Sequence, residues 1–159
     1  MIEAQWLAVR DGDPRARAMY LRHYSSSKAR GRYTIVPIGN LGRFMGSGER
    51  MVLLTGDCRA IFAWRAQRYR ADGQRGVECT IFRNEGHTAL ASDLVDEACE
   101  LAWQRWPAER LFTFVDPLKV RSPNPGYCFK RAGFRFVGRT ARGLHILERL
   151  SGAQEEVAA

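Results

Sequence analysis

The spacing of apolar and polar positions changes period several times along the chain. Ala4 to Val9 has the length of a short first strand. Asp11-Gly12-Asp13-Pro14 then reads as a turn, with Asp13 as N-cap and Pro14 at the first helical position. A helix is predicted from there to about Tyr24, with Ala18, Leu21 and Tyr24 on one face. Ser25 to Arg32 is polar, basic and glycine-containing, which predicts a loop. Thr34 to Pro37 is extended, and Gly39 to Gly48 is glycine-rich and irregular. Arg50 to Thr55, Cys58 to Tyr69 and Gly76 to Arg83 read as three strands. Turn signals at Gly56-Asp57 and Ala71-Asp72-Gly73-Gln74 separate them, so they predict an antiparallel meander.

The period then lengthens. Ser92 to Trp106 carries Leu94, Val95, Ala98, Leu101 and Ala102 as a helical stripe, and Pro107 follows its end. Asp93, Asp96, Glu97 and Glu100 lie in its first half, where negative charge suits the helix dipole. Leu111 to Val115 is an apolar strand. Pro123 to Ala132 predicts a short helix stopped by Gly133, with last strands at Phe134 to Val137 and Leu144 to Leu147. A meander feeding strand–helix–strand predicts an α/β (α+β) fold with a mixed central sheet flanked by helices. The expected organisation is one domain over residues 1–150 and a flexible acidic tail over 151–159.

Composition narrows the function classes. The apolar fraction of 45% excludes a disordered chain, and no apolar run approaches the roughly 20 residues of a membrane span. Met1 to Gln5 lacks the basic start and apolar stretch of a signal peptide, which predicts a cytoplasmic protein. Cys58, Cys79, Cys99 and Cys128 contain no Cys-x-x-Cys pair, so they read as free thiols rather than a zinc ribbon or disulfide framework. The three histidines offer a metal no close-spaced ligand pair. The net charge is +8, and from Pro14 to Gly48 there are seven Lys or Arg and no acid. Such a patch suits a polyanion, DNA first. A well-solvated basic surface also accounts for it.

Two segments carry candidate chemistry. Arg83-Asn84-Glu85-Gly86-His87-Thr88 lies between a strand and the long helix, where backbone N–H groups at a helix N-terminus hold phosphate. Gly86 permits close approach and Arg83 can pair with phosphate directly. The second segment is Asn124-Pro125-Gly126-Tyr127-Cys128-Phe129-Lys130-Arg131-Ala132-Gly133-Phe134. A strand, then an Asn, then an aromatic-rich short helix ending in Gly-Phe resembles the GNAT (GCN5-related N-acetyltransferase) superfamily. Arg83-x-x-Gly86 also resembles the start of that family's pyrophosphate loop, although Thr88 stands where Gly or Ala is usual. The resemblance spans roughly residues 50 to 148. It implies an acetyl-CoA or other acyl-CoA site where the sheet splays, with Arg83, Asn84, Gly86 and Asn124 on the cofactor.

An ordered set narrows the resemblance further. His23-Tyr24 at the end of the first helix, Arg83, Asp116 after the next strand and Tyr127 in the short helix are similar to the phage Mom proteins. These are GNAT-like modifiers of adenine in DNA. The likeness implies an enzyme that adds a small acyl-derived group to the exocyclic amine of adenine, evading restriction, with His23, Tyr24, Asp116 and Tyr127 catalytic. An adenine amine must be pulled from the stack and gripped by stacking and edge hydrogen bonds, which suits tyrosines beside a carboxylate and an imidazole. Blander roles stay open for each residue. His23 is also a helix cap, Asp116 before Pro117 a turn former, and Tyr24 and Tyr127 packing residues. Two alternatives remain: a conventional N-acetyltransferase acting on a small amine or protein, and a non-catalytic DNA-binding protein on a GNAT scaffold.

Overall fold

The computed structural model describes residues 3–23, 43–120 and 122–152. Seven strands and three helices follow one another as β1 (Trp6–Val9), α1 (Pro14–Arg22), β2 (Glu49–Thr55), β3 (Ala60–Ala66), β4 (Val77–Asn84), α2 (Ala91–Arg105), β5 (Leu111–Val115), α3 (Tyr127–Arg131), β6 (Arg135–Arg139) and β7 (His145–Arg149). The strands form one sheet in the order β1-β2-β3-β4-β5-β7-β6. Only β4 and β5 run parallel. A parallel pair needs a crossover, and α2 supplies it. The mixed sheet flanked by helices is the fold class expected from the periodicity.

The two sheet faces carry separate cores. Trp6, Phe62, Trp64, Val77 and Cys79 meet the buried stripe of α2, namely Leu94, Val95, Ala98, Cys99 and Ala102, together with Phe129 of α3. The indole N–H groups of Trp6 and Trp64 donate to the carbonyls of Leu94 and Ala98 at 2.8 and 2.9 Å, so their burial leaves no donor orphaned. On the opposite face α1 lays Ala16 and Met19 over Val52, Leu54, Ile61, Ala63 and Ile81. Asp13 caps α1 as expected, accepting from the amides of Arg15 and Ala16, and Pro14 occupies its first turn.

Several elements are shorter than their sequence patterns. The third strand begins at Ala60 because Cys58 turns in a left-handed conformation, φ 58°. The short helix begins at Tyr127 rather than Pro123, because Gly126 holds φ 76° and Pro125 disfavours helical geometry before it. Gly126 is also pressed under Leu147, whose Cδ1 occupies the space a Cβ would need. The acids of α2 have tasks besides the dipole. Glu97 accepts the amides of Gln5 and Trp6 at 3.0–3.1 Å, and Asp96 pairs with Arg149 at 2.8 Å. Among the described residues all four cysteines are free thiols, and no helix is long and apolar enough to cross a membrane. Tyr24, the loop and basic residues from Ser25 to Gly42, Arg121 and the tail from 153 to 159 lie outside the described residues.

Candidate active site

Strands β4 and β5 pair at Val77↔Leu111, Glu78↔Phe112 and Cys79↔Thr113, and then part. The divergence coincides with a bulge. Ala63 of β3 faces Ile81 while Trp64 faces Cys79, so Thr80 is an extra residue in β4. Its hydroxyl donates to the Ala63 carbonyl at 3.5 Å. Beyond the bulge the edge of β4 has no strand partner on the β5 side among the described residues.

A cavity of about 860 Å³ fills this gap and is lined from both faces of the sheet. On the α3 side its walls include Phe82, Val120, Cys128 and Phe129. On the α1 side they include Tyr20, Phe44, Met45 and Ile81. Tyr20 stacks on Phe44 with ring centroids 4.8 Å apart. Asp11 fixes that wall by accepting the amides of Phe44 and Met45 at 2.9 and 3.3 Å while pairing with Arg50 at 3.2 Å.

Four of the residues singled out in the sequence meet here: His23, Asp116, Asn124 and Tyr127. They come from the end of α1, the end of β5, the following loop and the start of α3. Burial, reinforced by the positive charge of Arg83, drives the His23 imidazole down to about 4, so it is neutral at physiological pH. Asp116 forms the turn expected before Pro117 and also borders the cavity. Its Oδ1 accepts the Leu118 amide at 2.9 Å in an Asx turn. The Asn124 side-chain oxygen accepts from Lys130 Nζ at 2.6 Å, and its carbonyl accepts the Tyr127 amide at 3.2 Å. Tyr127 is 57% exposed and stands at the cavity wall, whereas Phe129 two residues on is buried.

Arg83, Asn84 and Gly86 sit at the far end of β4 and do not line the cavity. Their loop answers its own polar groups. Asn84 Oδ1 accepts the amides of Gly86 and His87 at 3.1 and 2.9 Å, so those two N–H groups are not free. Glu85 takes a bidentate contact from Arg22 of α1, 2.8 and 2.6 Å, and a third from Arg83 at 2.6 Å. Those hydrogen bonds, with Arg22 foremost, hold its carboxyl at about 2. His87 is clamped between Asp57 and Gln5 at 2.7 and 2.8 Å, and the Asp57 carboxyl is likewise at about 2, chiefly through the Thr55 hydroxyl and with His87 helping. The N-terminus of α2, N-capped by Leu90, has no side-chain cap and keeps its first-turn amides.

Sequence reasoning passed over Arg65 and Glu78, which also line the cavity. Their signal was a charge set among apolar residues in each of two central strands, a position that is rarely charged without a reason. Among the described residues no group of three His, Cys, Asp or Glu side chains is placed to hold a metal ion.

No protein-family model matches the sequence, and no curated protein does. Solved structures do match. An aminoglycoside 6'-acetyltransferase type Ii superposes with a TM-score of 0.58 at 15% identity, over 94% of this chain and 97% of that one. An acetyltransferase from Thermus thermophilus gives 0.51 at 15% identity, over 95% and 100%. At that identity the likeness is one of architecture. The chain has the fold of the GNAT acetyltransferases.

Proposed function

We propose that the protein is an acyl-CoA-dependent N-acyltransferase whose acceptor amine enters the cavity from the α1 face. The observation that carries this reading is the parting of β4 and β5 at Thr80, which opens one cavity to both faces of the sheet. The unpartnered edge of β4 beyond Cys79 suits the amides of a pantetheine arm, and the uncapped start of α2 suits its phosphates. Arg83 joins them only when Glu85 releases it. When bound, acyl-CoA supplies an acyl carbon already activated as a thioester.

The chain's own groups supply positioning and proton traffic. The exposed phenol of Tyr127 has the proton to give to the departing sulfur. Asp116 keeps one oxygen beyond its Asx turn to orient the amine and take its proton. His23, lowered to about 4, carries no charge at neutral pH. As a neutral imidazole it accepts or donates a hydrogen bond without adding charge.

The acceptor we favour is the exocyclic amine of adenine in DNA. Lys119, Arg139 and Arg142 make no ion pair among the described residues and lie toward the end of the sheet where the cavity opens. Together with the basic composition of the run from Pro14 to Gly48, they suit a partner rich in phosphates. A second reading, a conventional acetyltransferase acting on a small amine, draws on the fold likeness to the aminoglycoside enzyme. Labelled acetyl-CoA offered with duplex DNA, with aliphatic amines and with peptide N-termini tests both. Nucleoside mass spectrometry of DNA from expressing cells accompanies it. Label and altered adenosine mass in DNA support the favoured acceptor, and label on amines alone selects the second. Salt-sensitive DNA binding with no acyl-CoA binding leaves only a non-catalytic DNA-binding protein.

A further inference from the structure

The α1-side arm of the cavity contains a charged pair that acyl transfer itself does not use. Arg65 on β3 faces Glu78 on β4 directly across the ladder, and its guanidinium donates to Glu78 Oε2 at 3.0 Å. Arg70 donates to the same oxygen at 2.7 Å and is itself paired with Asp72 at 2.6 Å. Glu78 is only 8% exposed, yet it lines the cavity beside Arg65. Among the described residues Glu78 Oε1 and Arg65 Nη1 have no hydrogen-bond partner, and the buried Arg65 Nε has none either. The arm therefore offers one spare acceptor next to one spare donor. Two acids balance two arginines, so the group has no net charge with which to draw in an alkylammonium.

The walls around this pair are flat and soft: the stacked Tyr20 and Phe44, then Phe114 and Met45. Phe114 is held there edge-on to Phe112, whose face carries the Arg70 guanidinium at 5.2 Å. Aromatic and thioether surfaces favour a planar ring over a flexible aliphatic chain. A neighbouring donor and acceptor match a ring nitrogen beside an exocyclic amine, the edge that adenine and cytosine present.

We propose that Arg65 and Glu78 form an edge-reading subsite for an aminated nitrogen heterocycle. Arg65 Nη1 donates to the ring nitrogen and Glu78 Oε1 accepts from the exocyclic amine. The proposal rests on the reading of this cavity as the acceptor site and names the chemical class that the acceptor belongs to. Gly46 is part of the device. A Cβ there would run into Arg65 Nη1, so the guanidinium lies where only glycine leaves room.

The test is calorimetric titration of the full chain with 9-methyladenine, with 9-methylpurine, which lacks the amine, and with 1,4-diaminobutane. Coenzyme A and phosphopantetheine are titrated in parallel. We expect 9-methyladenine to bind at least about tenfold tighter than 9-methylpurine, because a site built to bond an amine rejects the analogue without it. Gly46→Ala displaces the flexible end of Arg65 without breaking the charge balance, and it should abolish that preference while leaving the affinity for phosphopantetheine, the part of coenzyme A that carries no purine, unchanged. Glu78→Gln should do the same, and where this variant fails to fold Gly46→Ala decides. Equal binding of the two purines, tighter binding of diaminobutane, or a preference that survives Gly46→Ala overturns the proposal. Coenzyme A binding without purine preference overturns it alone. Purine preference without coenzyme A binding supports it and overturns acyl transfer instead.

Discussion

The loops that follow β4 and β5 begin as equivalents, each leaving one of two adjacent parallel strands and leading into a helix. They end as opposites. After β4, Asn84, Glu85 and His87 each bind groups of the loop itself or its neighbours, and three other segments are tied to it through Arg22, Asp57 and Gln5. After β5, Leu118 is 92% exposed, Tyr127 is 57% exposed and Lys119 has no acidic partner among the described residues. Ties to other segments explain the contrast. Both loops bond amides of their own, Asp116 to Leu118 and Ser122 to Asn124 in the second. Only the first is also clamped by Arg22, Asp57 and Gln5, whereas the second leaves Tyr127 and Lys119 turned outward for a ligand. The closed loop shapes the scaffold and the open one presents the chemistry.

Four experiments probe that difference. The largest effect is expected from Gly126→Ala, which combines a positive φ with a clash against Leu147 and should cost about 2–4 kcal/mol in urea unfolding. A cost under about 0.5 kcal/mol, the range of an ordinary surface change, would mean that the open loop is not anchored where it enters α3. Tyr127→Phe should lower kcat about 10²-fold with unfolding unchanged, since only an exposed hydroxyl is removed. If instead stability falls and kcat holds, Tyr127 belongs to the packing and the open loop loses its chemical role. Asn84→Ala should cost about 1 kcal/mol and speed amide exchange at Gly86 and His87, because both lose their acceptor. Unaltered exchange would show that the loop is closed by something else.

The smallest effect at neutral pH, growing in acid, comes from titration. His23 is lowered from 6.5 to about 4, so the folded state resists a proton that the unfolded chain accepts. Stability should therefore begin to fall as pH drops below about 6.5. Asp57 and Glu85, lowered from 3.8 and 4.5 to about 2, contribute stability above their unfolded values, and it is lost as pH falls toward 2. Chemical denaturation from neutral pH down to about 2 should show a shallow loss first and a steeper one below about 4.5. His23→Asn should remove only the shallow part.

Much of the fold was legible because its signals are local. The helical stripe of α2, the Asp13-Pro14 start of α1 and the apolar run of β5 each declare themselves within a few residues. The site was legible only in part. His23, Asp116, Asn124 and Tyr127 converge because β5 and α1 end on the same side of the sheet, a fact of topology. The loop after β4 looked like an open phosphate cradle because composition shows which amides exist and not which are already bonded. Arg65 and Glu78 left only a faint signal for a related reason. A charge in a strand usually faces water, and nothing local says that both neighbours of β3 and β4 would bury it.

The bulge at Thr80 has a consequence for how this gene can change. Because it places Thr80 and Ile81 on the same face, it sets the alternation that sends Phe82 to one face of the sheet and Arg83 to the other. Loss of that single codon would restore a regular ladder and exchange the two faces for one whole side of the strand. Deletions there should be absent from functional copies, while substitutions of Thr80 that keep the residue count should persist.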